Sequence, residues 1–430
     1  MSLTKDNYIP RLLDEKIARY LKVFGAVSIE GPKWCGKTWT ALNHANSVTY
    51  MTDKAQRNLA KVNPKYIFRK ERPQLIDEWQ IVPGIWDAVR HECDADHEKG
   101  KFILTGSTTL IQDKDEDQDD EIFHSGTGRI APIKMYPMSL YESGDSSGDV
   151  SISGMLEGII PEQYLRDVEL DELARLIIRG GWPENLSVSD EDIGIIPESY
   201  IESLVTKDIH ERNDRKRDSE KMRMLIRSLS RNESTLAGDS TLVKDIEEYE
   251  TGAEKIKSRE TVADYLGVLD SLYMTANQSA FSVNYRSSAR IGKSPKRHLV
   301  DPSLCCASMN LTVEKLMNDH ETFGLLFESL VERDLRIYAD KIGGQLLHFR
   351  DNVSGDEVDA IMEFKDGRYA AFEIKLTDGG IQEAIKNLTR FNNYVAKKPA
   401  FMCVIVGYCK ASMRDPDTGI FITPATALKP

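Results

Sequence analysis

The sequence predicts an α/β fold class spread over several domains, and three observations carry that prediction. Over the first third, short apolar runs that suit buried strands end in glycine-rich or acidic tips. Between Pro161 and Glu211 the apolar spacing turns helical. Near the end, two strand-like runs return in "GDEVDAIMEFKDGRYAAFEIKL". At 430 residues the chain has room for about three domains. Its motifs divide it into residues 1–155, 156–215, 216–310 and 311–430.

Bulk composition narrows the class. The chain is 40% hydrophobic and 29% charged, as globular proteins are. Its longest apolar run, Ala400 to Tyr408, suits a buried strand, whereas a membrane span needs roughly 20 apolar residues. The opening "MSLTKDNYIPRLLDEK" lacks the basic-then-apolar layout of a signal peptide. Neither the cysteines nor the histidines show metal-ligand spacing, and the cysteines form no disulfide framework. A reduced, cytoplasmic protein is therefore expected. The net charge of -13 argues against a general nucleic-acid coat but leaves room for a local basic surface. The acidic run Asp113 to Glu121 is expected as a solvated loop. Asn284 to His298 carries five Lys or Arg and no acid, which suits either a solvated hairpin or a DNA contact.

The first segment carries the most specific pattern. Gly31-Pro32-Lys33-Trp34-Cys35-Gly36-Lys37-Thr38 fits G-x-x-x-x-G-K-[ST] without a mismatch. Glycines let backbone N–H groups turn inward around phosphates, Lys37 reaches the outer phosphates, and Thr38 offers a hydroxyl to Mg²⁺. Ala26 to Ile29 reads as the strand before this loop. Lys37 to Asn43 reads as the helix whose N-terminus faces the anion. ATP with Mg²⁺ is the expected ligand pair. Cys35 in this loop is expected to be chemically quiet, and Trp34 and Trp39 to pack rather than to stack on a base.

Three later features complete the expected site. "PQLIDEWQ" ends an apolar strand in Asp77, suited to the metal shell, and Glu78, suited to polarising an attacking water. "KFILTGSTT" ends a strand in Thr105, Gly106 and Ser107, where Ser107 either holds that water or merely turns the chain. Arg129 precedes an expected last core strand, Ile133 to Met138. It is either a finger reaching a neighbouring subunit's γ-phosphate, which requires a homo-oligomer, or a surface salt bridge.

These elements in this order, with "ILTGS", "GRI…PMSLYE" and "GGWPE" (Gly180 to Glu184), resemble a prokaryotic group of AAA-family ATPases. Its members carry a C-terminal domain of unknown function. The resemblance covers nearly the whole chain, through specific nucleotide motifs in the first half and looser patterns in the second. The acidic run before Arg129 is a departure that reads as an insertion. On this basis residues 1–155 form a P-loop AAA-type ATPase core, and "DELARLIIRGG" with "ESYIESLVTKDIHERN" forms a helical lid packed over the nucleotide in 156–215.

Residues 216–310 read as a winged helix. "EKMRMLIRSLSR" and "STLVKDIEEYE" give two helices, and "SRETVADYLGVLDSLYM" gives a third with Ser258 as its N-cap. The basic stretch then falls where the wing would lie.

In 311–430, "GLLFESLVERDL" is amphipathic, with Phe323, Leu326, Phe327, Leu330 and Val331 on its apolar face and Glu328 beside them. The hairpin signal Lys365-Asp366-Gly367 predicts a three-residue loop that sets Asp359 opposite Glu373, with Lys375 on the same face. Glu328, Asp359 and Glu373 at a sheet edge suit a hard metal, and Lys375 suits activation of a water. That order resembles the restriction-endonuclease-like nucleases. The resemblance implies a nuclease-like fold, with cleavage of nucleic acid left open.

Two functions follow. One is an ATP-driven switch acting on DNA; the other is a regulatory ATPase whose C-terminal half binds a protein partner and cuts nothing.

Overall fold

The structure, a computed structural model, describes residues 3, 6–107, 126–159, 161–165, 168–208, 218–249, 259–284, 286–287, 290, 294–351 and 355–430. The acidic run Asp113–Glu121, the expected cap Ser258 and part of Asn284–His298 lie outside these residues. The chain forms two compact units. One is Met1–Pro137 with Leu269–Met274; the other is Met138–Val268 with Thr275–Pro430.

The first unit is built on five strands: β1 (Ala26–Glu30), β2 (Ser47–Tyr50), β3 (Gln74–Asp77), β4 (Phe102–Gly106) and β5 (Ile130–Lys134). They lie in the order β2-β3-β4-β1-β5, and every pairing is parallel. Every residue of β3 and β4 is buried, as parallel strands covered on both faces require. Ile76, Phe102 and Leu104 pack there with Ile85 and Val89 of the helix Gly84–Asp96. The register sets Asp77 beside Thr105, and Thr105 beside Ile29, so the ends of three strands converge. The expected strand Ile133–Met138 proves to be Ile130–Lys134, because pairing along β1 already starts with Ala26 N donating to Arg129 O.

The second unit holds a seven-stranded mixed sheet. Its members are β7 (Gln163–Tyr164), β8 (Gly344–Arg350), β9 (Glu357–Phe364), β10 (Tyr369–Thr377), β11 (Phe401–Tyr408), β12 (Ala411–Arg414) and β13 (Phe421–Pro424). The order is β7-β12-β13-β11-β10-β9-β8, while β6 (Val150–Ser151) pairs separately with β14 (Leu428–Lys429). Two long helices, His320–Ile342 and Ile381–Tyr394, pack on the large sheet. The helix Pro302–Met309 packs against four others: Leu170–Arg179, Ile195–Ser203, Ser219–Arg231 and His320–Ile342.

The helix Leu170–Arg179, expected in the lid, packs its apolar face of Leu173, Leu176 and Ile177 within the second unit, against the helices Pro302–Met309, Val313–Asn318 and His320–Ile342. "GGWPE" does end that helix, at Gly180 with φ +66°, and then serves packing. Gly181 N donates to Asp301 (3.0 Å) and Trp182 Nε1 donates to Ser303 Oγ (2.9 Å).

The three helices expected in 216–310 are present as Ser219–Arg231, Asp239–Tyr249 and Arg259–Ser271. Two isolated antiparallel bridges follow, Thr275–Leu299 and Gln278–Lys296. The basic stretch is not a solvated hairpin in its described end: Lys296, Arg297 and His298 are all buried.

Candidate functional site

Building from the loop outward, Gly36 turns the chain with φ +100°, a conformation costly to a residue with a Cβ, and the helix Lys37–His44 starts at once. A Cβ on Gly31 would lie 2.2 Å from Met135 O, so only glycine lets the loop pass β5's end. Lys37 is buried and donates from Nζ to the carbonyls of Gly31 (2.9 Å) and Pro32 (2.7 Å). Cys35 is fully buried, while Trp34 stands half exposed with φ +63°. Lys33 and Trp39 are partly buried. Arg11 braces the loop from outside the motif, donating to Cys35 O and Tyr136 O at 2.8 Å each.

Neighbouring strands supply the polar wall. Thr38 and Thr105 both donate to Asp77 Oδ1, each at 2.7 Å. Glu78 follows Asp77 in the left-handed region (φ +55°), and its N–H donates to Thr105 Oγ1 (3.3 Å). Its carboxylate accepts from Ser107 Oγ (3.2 Å) and from Gln80 Nε2. Glu30, the last residue of β1, accepts from Ser28 Oγ (3.1 Å) and from Tyr273 OH (2.9 Å). The structure thus brings Gly31 to Thr38, Asp77, Glu78 and Ser107 together. Arg129 is elsewhere: it precedes β5, at the opposite end of the sheet, and pairs with Asp94 (2.7 Å).

A second constellation lies in the other unit. Phe372 pairs with Ala360, so the next step sets Glu373 opposite Asp359, as the three-residue loop predicted. Lys375 Nζ lies 3.0 Å from Glu373 Oε2 and 3.7 Å from Asp359 Oδ2. The site is not at a sheet edge, because β8 continues the sheet beyond β9. Burial, followed by the Asp359 charge, pushes Glu373 up to about 8. Glu328 does not join them alone: it pairs with Lys296, whose Nζ also lies 2.9 Å from Glu332 Oε1. His298 sits between Glu332 (2.9 Å) and Glu233 (2.9 Å). Burial alone would lower its pKa, but the two carboxylates outweigh that and raise it. Among the described residues, no three His, Cys, Asp or Glu side chains are grouped so as to hold a metal ion.

Comparison with known proteins matches residues 24–144 to the model of an AAA domain. That match takes in the whole five-stranded sheet of the first unit. Residues 170–315 and 323–428 match two domains of unknown function, DUF8612 and DUF4143. No curated protein matches the chain. Among solved structures, the Walker-type ATPase PABY2304 of Pyrococcus abyssi is 13% identical, with 72% of this chain and 98% of that one covered and a TM-score of 0.40. The ORC2 protein of Aeropyrum pernix is 13% identical, over 74% and 98%, with a TM-score of 0.32. The Thermotoga maritima RuvB branch-migration motor is 16% identical, over 65% and 94%, with a TM-score of 0.28. TM-scores this low carry no functional weight.

Within the first unit, sequence reasoning missed Arg11, Gln80 and Tyr273. Gln80 stands in "DEWQ", two residues past the acid pair, and was legible as a partner for Glu78. Arg11 and Tyr273 act from 24 and 243 residues away, with no local signal. In the second unit Lys296, His298, Glu233 and Glu332 were missed, since nothing in "SPKRH" marks a buried lysine.

Proposed function

We propose that the AAA domain binds and hydrolyses ATP with Mg²⁺, and that the chain works as a nucleotide-driven switch. The observation that carries this reading is the single Asp77 oxygen shared by Thr38, at the start of the phosphate-loop helix, and Thr105, at the tip of β4. The residues fit the ligand. Loop N–H groups and Lys37 would hold the phosphates, with Lys37 leaving the Gly31 and Pro32 carbonyls that now occupy it. Thr38 and Asp77 would hold Mg²⁺, which, when bound, offsets phosphate charge. Glu78, oriented by Ser107 and Gln80, is placed to take a proton from an attacking water.

Coupling to the rest of the chain is supported by Tyr273. It holds Glu30, directly before the loop, and the chain passes from Met274 into the segment bearing Lys296. Three helices and the bridged run Thr275–Leu299 support a winged-helix-like module. The proximity of Lys375 to Asp359 and Glu373 supports a nuclease-like ancestry for residues 311–430.

A second reading is favoured by one observation: Lys296, Arg297 and His298, the described end of the basic stretch, are paired with acids rather than displayed. On that reading the second unit binds a protein, and DNA is not the substrate.

Steady-state ATP hydrolysis with and without duplex and single-stranded DNA tests both, with Lys37→Ala as background. Turnover surviving in Lys37→Ala would sink the ATPase assignment. DNA stimulation that falls steeply with salt would return nucleic acid as the substrate, since phosphate contacts release counterions. Indifference to DNA supports the protein-binding switch.

A further inference from the structure

Lys296 is 1% exposed, and its ammonium is held by oxygens alone. It donates to the Glu328 carboxylate, to Glu332 Oε1 at 2.9 Å and to the backbone oxygen of Asp359 at 3.1 Å. Two carboxylates and a carbonyl are the donor set that a hard divalent cation takes. They come from one rigid support, the helix Glu328 and Glu332 share and the strand β9 that packs against it. Burying an ammonium costs several kcal/mol unless its partners are well placed. Here all three partners are well placed, so a positive charge at this point is part of the design of the unit.

The segment that delivers the lysine belongs to no sheet. Lys296 is joined to Gln278 by reciprocal backbone bonds of 2.9 and 3.0 Å, and its neighbours Arg297 and His298 bond to Thr235 and Ala276, so the lysine is withdrawn only when this docked run releases as a whole. Beside it, Lys375 satisfies Glu373 and approaches Asp359 in the same manner. In this unit each carboxylate that the sequence offers to a metal, Glu328, Asp359 and Glu373, is thus met by a lysine of the same chain.

We propose that Lys296 is an internal cation occupying a latent divalent-cation site formed by Glu328, Glu332 and the Asp359 carbonyl. While the 294–299 segment is docked, the second unit takes up no divalent ion there. Withdrawal of Lys296 opens the site to Mg²⁺ or Mn²⁺. This proposal is independent of ATP hydrolysis.

Mn²⁺ binding to the nucleotide-free full chain, followed by electron paramagnetic resonance, tests it. An Asp77→Asn background removes the AAA domain's own candidate metal ligand. The expected result is no bound Mn²⁺ in that background, one ion per chain after Lys296→Gln, and loss of that ion when Glu328→Gln is added. Binding with Lys296 intact that Glu328→Gln abolishes would overturn the proposal. So would a folded Lys296→Gln chain that binds none. If Lys296→Gln fails to fold by circular dichroism, Mn²⁺ should restore its fold where Na⁺ at equal ionic strength does not, and a failure to restore it would equally overturn the idea.

Discussion

The Thr105 hydroxyl lies 2.7 Å from Asp77 Oδ1, joining β4 to β3 at the ends that face the phosphate loop. Thr105 also receives the Glu78 N–H, so one side chain orients both acids. Thr105→Val keeps the shape and removes the hydroxyl. Turnover of ATP is expected to fall by roughly 10- to 100-fold, as for partners one shell out from a metal. Stability should fall by about 1–3 kcal/mol, because the Glu78 N–H and a buried Asp77 oxygen each lose a partner. Steady-state kinetics beside a melting curve checks both.

Glu78 and Lys37 should fail differently. Glu78→Gln keeps the side chain's size and its contacts to Ser107 and Gln80, so nucleotide binding should persist while kcat drops by about 10²- to 10⁴-fold. Lys37→Ala should weaken binding itself. Fluorescent-nucleotide titration together with turnover separates them, and equal binding by both variants would contradict these roles.

Gly181 is a packing position rather than a nucleotide contact. A Cβ there would lie 2.1 Å from Met138 O and 2.6 Å from Met138 N, backbone atoms that cannot turn aside. Gly181→Ala should destabilise the second unit by about 3 kcal/mol. A urea titration that shows an unchanged midpoint would refute this.

Asp14 gives the first unit an acid-sensitive brace. Burial would raise its pKa, but hydrogen bonds from His44 and the Arg11 backbone, with Tyr8, hold it below the ordinary value. A depressed carboxyl contributes stability above its unfolded pKa of about 3.9 and loses it as pH falls through the lower folded value. The stability gap between the natural chain and Asp14→Asn should therefore be full near neutrality and close below about pH 3.9. Urea midpoints for the two chains across that range measure it, and a gap independent of pH would count against the brace.

How far the sequence could be read differs between the two units. Strands β1, β3 and β4, the loop Gly31–Thr38 and the acid pair Asp77-Glu78 are local signals, because a phosphate loop needs its glycines, lysine and hydroxyl within eight consecutive positions. The pairing of Asp359 with Glu373 was legible for the same reason, since a three-residue loop sets the register. The apolar face of the helix His320–Ile342 was visible too, but Glu332, Arg333 and Asp334 on it are equally buried, which a charged run conceals.

By itself, then, the sequence determined the nucleotide loop, its acids and the strand partners that a short turn dictates. Only the tertiary structure decided where the cations go. Lys296 passes from a basic run into a buried cluster of acids, and Arg129 goes to Asp94 at the far end of its sheet. The physical reason is that a charge's burial depends on oxygens brought from distant positions, 32 to 63 residues away for Lys296. No local spacing records that distance.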